Sequence, residues 1–263
     1  MNLAFWVSAL QKTHTQMKKI AKTMIVAVLL FASSQLFAQT DVYLNLGGAI
    51  PTGDFADGDE TGFGLVSGDF TEGGAGMGFT AGLKFKFNTG LKGLGVILSL
   101  DGIYNGLNAD VRDLFEEAEN ELEEDYNDFS LKTPKYLNVP LMVGANYTYD
   151  INSKIGVYGE AGLGGNFRYI TNFGMEVKEA GNKASIVYEY APTFSFAYQL
   201  GAGIEINEKI TVGASFYNLG NGKVSGKVKY KESYNGSSTS NSEKFKYKRV
   251  TPTMVMLRVG FKF

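Results

Sequence analysis

The chain of 263 residues contains no cysteine, one histidine (His14), one tryptophan (Trp6) and five prolines. Without cysteine there is no disulfide framework, no thiolate nucleophile or thiolate metal site, and no lipid anchor carried on a cysteine. A single histidine leaves imidazole metal centres, and the base that peptide- and lipid-cleaving enzymes normally use, without residues to build them. Mean hydropathy is −0.09, which argues against a bundle of membrane helices. It does not argue against a barrel, because every second residue of a barrel strand is polar. What the chain has in quantity is glycine (33), phenylalanine (19) and tyrosine (15).

The N-terminus carries an export pattern. Lys18, Lys19 and Lys22 form a basic region, Met24 to Phe31 an apolar core, and Ser33-Ser34-Gln35-Leu36-Phe37-Ala38 ends on a small residue. That core is too short to span a bilayer comfortably and fits a cleaved signal peptide. Residues 17–38 are therefore expected to be the signal, with cleavage after Ala38. Met17 is expected to serve as the start, with residues 1–16 an upstream extension and 39–263 the mature domain. The removed segment holds four lysines and no acid, so the mature chain keeps 21 basic against 27 acidic residues, a net charge of −6. His14 and Trp6 go with it. A net acidic exported chain does not fit a nucleic-acid partner.

Period-two alternation dominates the remainder. In Thr253–Phe263 one register carries Val255, Leu257, Val259, Phe261 and Phe263, and the other carries Met254, Met256, Arg258, Gly260 and Lys262. The same pattern marks strands over Asp41–Ile50, Met77–Phe87, Leu94–Tyr104, Tyr136–Tyr149, Ile155–Tyr169, Thr193–Ile206 and from Ile210. The run Pro51-Thr52-Gly53-Asp54 is expected to stop the first strand. Pro140, inside the fourth, predicts a bulge because it removes a ladder donor. Connections alternate long and short. A tilted strand of about 9–11 residues crosses the hydrocarbon layer. A lipid-facing sheet must also close, since each unpaired backbone group there costs several kcal/mol. The fold class predicted is all-β: an eight-stranded antiparallel up-and-down transmembrane β-barrel, monomeric, in the outer membrane of a Gram-negative cell. Short turns face the periplasm and long loops face outward.

Three phrases carry a resemblance. Pro51-Thr52-Gly53-Asp54-Phe55, Tyr136-Leu137-Asn138-Val139-Pro140-Leu141 and Leu200-Gly201-Ala202-Gly203-Ile204-Glu205 resemble the PorT-like (porin-family) outer-membrane β-barrel proteins of Bacteroidota, as does the leader ending Phe37-Ala38-Gln39. The resemblance covers the whole mature chain. It implies barrel fold and outer-membrane location. It implies activity poorly, since members range from accessory proteins of secretion or gliding to proteins of unassigned role.

Inward charges of both signs form the first candidate site: Lys84, Asp101, Glu160, Arg168, Glu205 and Arg258, with Lys86 and Lys262 also inward. Eight strands leave an interior just wide enough for side chains. A lumen packed with paired charges is therefore favoured over a selective pore. Inward glycines (Gly78, Gly82, Gly144, Gly162, Gly201, Gly203) leave room for longer neighbours. The second loop holds an acidic run, Asp110 to Asp128, with Val111, Leu114, Phe115, Ala118 and Leu122 at helical spacing. This predicts an amphipathic helix that is a solvated surface in preference to a cation site. The fourth loop is basic (Lys223, Lys227, Lys229, Lys231, Lys244, Lys246, Lys248, Arg249). Its flanks predict a hairpin that either pairs with the acidic loop, binds anionic surface sugars, or is merely solvated. No catalytic, cofactor or metal residues are expected; a Glu160–Glu205 acid–base pair is the weakest reading. Expected partners are outer-membrane lipid, lipopolysaccharide and the barrel-assembly machinery, the last through the strand ending at Phe263. The function expected is a structural or surface-interaction protein, with a narrow conduit for small or hydrophobic solutes as the alternative.

Overall fold

The computed structural model describes residues 40–58, 73–125, 128–179 and 182–263. The expected signal peptide and upstream extension lie outside the described residues. Eight strands form the wall: β1 (Thr40–Thr52), β2 (Ala75–Asn88), β3 (Leu94–Leu107), β5 (Tyr136–Asp150), β6 (Ile155–Ile170), β9 (Thr193–Ile206), β10 (Ile210–Asn218) and β13 (Thr253–Lys262). Their order is β1-β13-β10-β9-β6-β5-β3-β2, closed on itself, with antiparallel neighbours. Closure is the physical requirement that lipid imposes on backbone hydrogen bonds.

Side-chain direction follows the alternation. Phe79, Leu100, Leu141, Leu163, Phe196 and Leu257 are exposed on the outside. Thr80, Asp101, Met142, Glu160, Gln199 and Arg258 are buried within. Short turns close the lower end. At Asn207-Glu208 both φ values are positive, at 51° and 57°, as a two-residue turn matched to strand twist requires.

Strand β1 ends at Thr52, inside the Pro51-Thr52-Gly53-Asp54 run as expected; Pro51 itself still pairs in register with Met254, because at a strand's last residues a missing donor is cheap. One local expectation fails: no bulge forms at Pro140. The register with β6 is continuous (Pro140 against Asn166). The ladder to β3 instead skips the pairs at Val139 and Pro140, resuming unshifted at Asn138–Ile103. The absent N–H thus costs two ladder positions without an extra residue.

The larger correction concerns the long connections, which were read as loops with one helix and one hairpin. The helix is present: α1 (Ala109–Asp125). Asn108 caps it, accepting the Val111 N–H at 2.8 Å, and its amide also donates to Ala56 O at 2.8 Å. Such a cap is worth about 1 kcal/mol. The hairpin is present too: β11 (Gly222–Tyr234) and β12 (Ser237–Val250), joined by Asn235-Gly236 with φ 47° and 81°. Sequence reading missed β4 (Asp128–Lys132), β7 (Phe173–Glu179) and β8 (Asn182–Tyr190). These three connections together build one five-stranded sheet, β12-β11-β8-β7-β4, which we call the cap.

The cap has its own two faces. Val228, Tyr188, Phe173, Met175, Leu131 and Phe245 lie on one, packed with Val111 and Phe115 of α1. A row of rings runs through this face: Phe115–Phe173 at 5.7 Å, Phe173–Tyr188 at 5.7 Å, Tyr188–Phe245 at 6.0 Å and Phe245–Tyr190 at 5.9 Å between centroids. This apolar cluster is continuous with the upper lumen, through Tyr136, Ile170, Leu219, Ile103, Met142, Met254 and Met256.

Candidate functional site

The lumen divides into three levels. In the middle, four wall strands bring charges to one place. Lys84 (β2) donates to Glu160 (β6) at 3.0 Å. Arg258 (β13) lies 3.3 Å from Asp101 (β3) and 3.4 Å from the second Glu160 oxygen. The same guanidinium donates to Ser215 at 2.9 Å and Tyr217 at 3.1 Å, and Tyr217 in turn donates to Asp101 at 3.0 Å. Lys84 also sits over the rings of Tyr43 and Tyr158, 5.4 and 5.2 Å from their centroids. Two cations thus balance two carboxylates, and each terminal guanidinium nitrogen of Arg258 makes two hydrogen bonds. Buried charge is tolerable only when satisfied in this way.

Glycine makes the space. A Cβ at Gly82 would run into the Asp101 carboxylate, and one at Gly201 would come within 3.0 Å of Glu160 Cγ. A larger residue at either position displaces a charged group.

The lower level is polar and open. Lys86 donates to Thr148 at 3.0 Å and stands 3.9 Å from Glu205. Tyr43 donates to Glu205 at 3.2 Å, and Lys262 pairs with Asp41 at 2.7 Å. Lys86, Thr148, Glu205, Asp41 and Lys262 border a vestibule of about 410 Å³. The upper level is largely apolar: the methionines and Ile103 described above, with Asn166 donating to Asn138 at 3.0 Å. Above it, the Tyr136 hydroxyl donates to Gly73 O.

Of the six residues predicted, the structure brings Lys84, Asp101, Glu160 and Arg258 into one network. It places Glu205 a level lower, with Lys86 and Tyr43. It separates Arg168 entirely. Arg168 is eight residues beyond Glu160 on β6, about 26 Å along the strand, and donates to Gly220 O at 3.2 Å near the outer rim. Alternation identifies the face of a strand but says nothing of depth, which explains that error. Sequence reasoning did not assign Ser215 and Tyr217 to the network, nor Thr148 to the level below it; their inward parity on β10 and β5 was the available signal. Glu160 and Glu205 do not face each other as an acid–base pair: the first is held by Lys84 and Arg258, the second by Lys86 and Tyr43.

The acidic helix and basic hairpin do not pair directly among the described residues. The third connection stands between them: its Lys178 pairs with Asp128 at 2.8 Å on one side and its Glu189 with Lys229 at 2.6 Å on the other, while Lys183 pairs with Glu176 at 2.7 Å within it. The Lys183 hydrogen bond draws the Glu176 carboxyl below its usual range. Among the described residues no cluster of acidic side chains is arranged to hold a metal ion.

A comparison with curated proteins gives no match. Among solved structures, the chain is similar to the attachment invasion locus protein Ail of Yersinia pestis, at 14% identity over 85% of this chain and 97% of that one, TM-score 0.37. It is similar to Neisserial surface protein A, at 11% identity over 85% and 97%, TM-score 0.42. It is also similar to OprG of Pseudomonas aeruginosa, at 17% identity over 86% and 96%, TM-score 0.42. The family described as Outer membrane protein beta-barrel domain matches residues 24–263. With a closed eight-stranded wall and a match over nearly its full length, the chain belongs to that family of outer-membrane β-barrel proteins.

Proposed function

We propose that the protein is a non-enzymatic surface-interaction protein, anchored by its barrel in the outer membrane of a Gram-negative cell and presenting the cap outward. The observation that carries this reading is the continuous buried core joining the upper lumen to the cap. It fills the path that a solute would take. Conductance across planar bilayers is the test. The closed barrel passes no ions, and current through the native protein would overturn the reading.

One observation favours a second reading, a narrow conduit. Inward polar atoms on several strands, among them Asn45 Nδ2, Thr80 Oγ1, Ser99 Oγ and both amide atoms of Gln199, have no hydrogen-bond partner among the described residues. A conduit would show conductance whose selectivity changes in Arg258→Gln or Glu205→Gln. Catalysis would require an activity lost in Glu160→Gln or Glu205→Gln.

The three phrases quoted from the sequence support a place among the PorT-like proteins of Bacteroidota, and with it an accessory role in secretion or gliding as a further alternative. We also take residues 17–38 as the export signal. In this reading the wall contacts lipid and lipopolysaccharide, the strand ending at Phe263 engages the barrel-assembly machinery, and the protein acts as a monomer.

A further inference from the structure

On β11 the residues alternate between the two faces of the cap. Val228 is buried in the core cluster, so Lys227, Lys229 and Lys231 stand on the opposite face. In the register with β12, Lys244 lies directly against Lys227 and therefore shares that face. Glu243 registers with Val228, and Glu232 with Thr239. The hairpin's two glutamates are thus on the core side and the lysines on the outer side. All four lysines are exposed. Lys229 has a partner in Glu189. Among the described residues no ion pair engages Lys227, Lys231 or Lys244.

We propose that this stripe of lysines binds a linear glycan carrying sulfate or phosphate groups. The inference deepens the surface-interaction reading and rests on it. Like charges placed directly opposite across strands are unfavourable, and blunting an exposed edge needs only a scattered charge. The Lys227–Lys244 opposition therefore has a cost, relieved in part by Glu189, which lies opposite Lys227 on β8 and is paired with Lys229; an anionic partner would remove the rest. Residues on one face of a strand repeat about every 6.8 Å, and neighbouring strands are about 4.8 Å apart. That spacing suits repeated anionic groups along a chain. Ser185, Ser240 and Ser242 register with these lysines and supply hydroxyl donors between the ammonium groups.

The aromatic residues argue for a glycan over a nucleic acid. Tyr188, Tyr230 and Phe245 register with Val228, Ile186 and Gly226 on the core side, so among the described residues the lysine face lacks a platform on which bases would stack. Direction along the strand argues for a ligand from outside the protein's own leaflet. Lys231 lies nine residues beyond Gly222, about 30 Å of extended chain. A headgroup fixed at the barrel rim meets one end of the stripe; a free chain follows all of it.

The test uses the full-length protein in lipid nanodiscs with dextran sulfate as the probe. The proposal expects binding that weakens with salt. It expects a loss of about tenfold or more in Lys227→Gln/Lys229→Gln/Lys231→Gln/Lys244→Gln. It also expects no change in Lys92→Gln/Lys154→Gln/Lys209→Gln, which removes similar charge from the turns at the other end. Retained migration of the unheated barrel on gels shows that each variant has folded. The proposal is overturned if the native protein does not bind, if both variants lose binding equally, or if single-stranded DNA binds as well. Stronger competition by lipopolysaccharide micelles than by dextran sulfate also overturns it. Conductance of the same purified protein across planar bilayers reports separately on the surface-interaction reading.

Discussion

The wall and the cap are built by the same period-two rule and turn it inside out. In the wall, apolar side chains face outward and charges are enclosed; in the cap, the aromatic row is enclosed and the lysines face outward. The difference lies in the medium against each sheet: acyl tails around one, water around the other. It lies also in closure. The wall has no edge, as hydrocarbon demands. The cap ends on β4 and β12, which water can hydrate.

Changes that ignore this inversion should be the most damaging. Arg258→Met removes the cation shared by Asp101 and Glu160 and should cost about 3–5 kcal/mol, read by urea unfolding from lipid vesicles. Phe173→Ala interrupts the aromatic row at a buried position and should cost a comparable ~3–5 kcal/mol, but within the cap. Protease should then cut the cap while unheated gel migration of the barrel persists. If the barrel unfolds with it, the two sheets are a single cooperative unit and the wall and cap are not separable.

A direct swap sharpens the comparison. Leu141→Arg, on the lipid face, should destabilise by roughly 2–4 kcal/mol. Lys231→Leu, on the outer face of the cap, should stay within about 0.5 kcal/mol. Equal costs would mean that Leu141 does not face lipid. The smallest expected effect is on pH. Glu176 is held below its ordinary range by Lys183. A depressed carboxyl contributes stability above its unfolded value and loses it as pH falls through the folded one. Protease protection of the cap should therefore weaken slightly on acidification below about pH 4, and Glu176→Gln should flatten that dependence. The group is exposed, so the effect is screened.

The wall could be read from the sequence because each crossing strand shows its two faces within itself. Leu137, Leu141 and Val143 outward against Asn138, Met142 and Asn146 inward need no knowledge of a partner. The cap could not be read in that way. Phe173-Met175-Val177 and Ile186-Tyr188-Tyr190 do alternate, yet each run is short and its partners come from other connections. Once eight crossing strands were in place, nothing local indicated that what remained formed a sheet. Depth was hidden for a related reason. Arg168 has the parity of Glu160 but lies eight residues farther along the same strand, a separation that the spacing carries and that parity alone ignores. Tyr217 reads locally as another aromatic until β13 sets Arg258 against it.

The order of strands in the cap also bears on how its surface can diversify. The β7–β8 pair lies between β4 and β11, so replacing that one connection would withdraw the centre of a sheet whose other members arise elsewhere in the chain. Novelty is cheap only at a tip such as Asn235-Gly236, where a turn can lengthen without disturbing a neighbour. A lineage under pressure to alter its outward appearance would accordingly change such tips freely and exchange the remainder as a block.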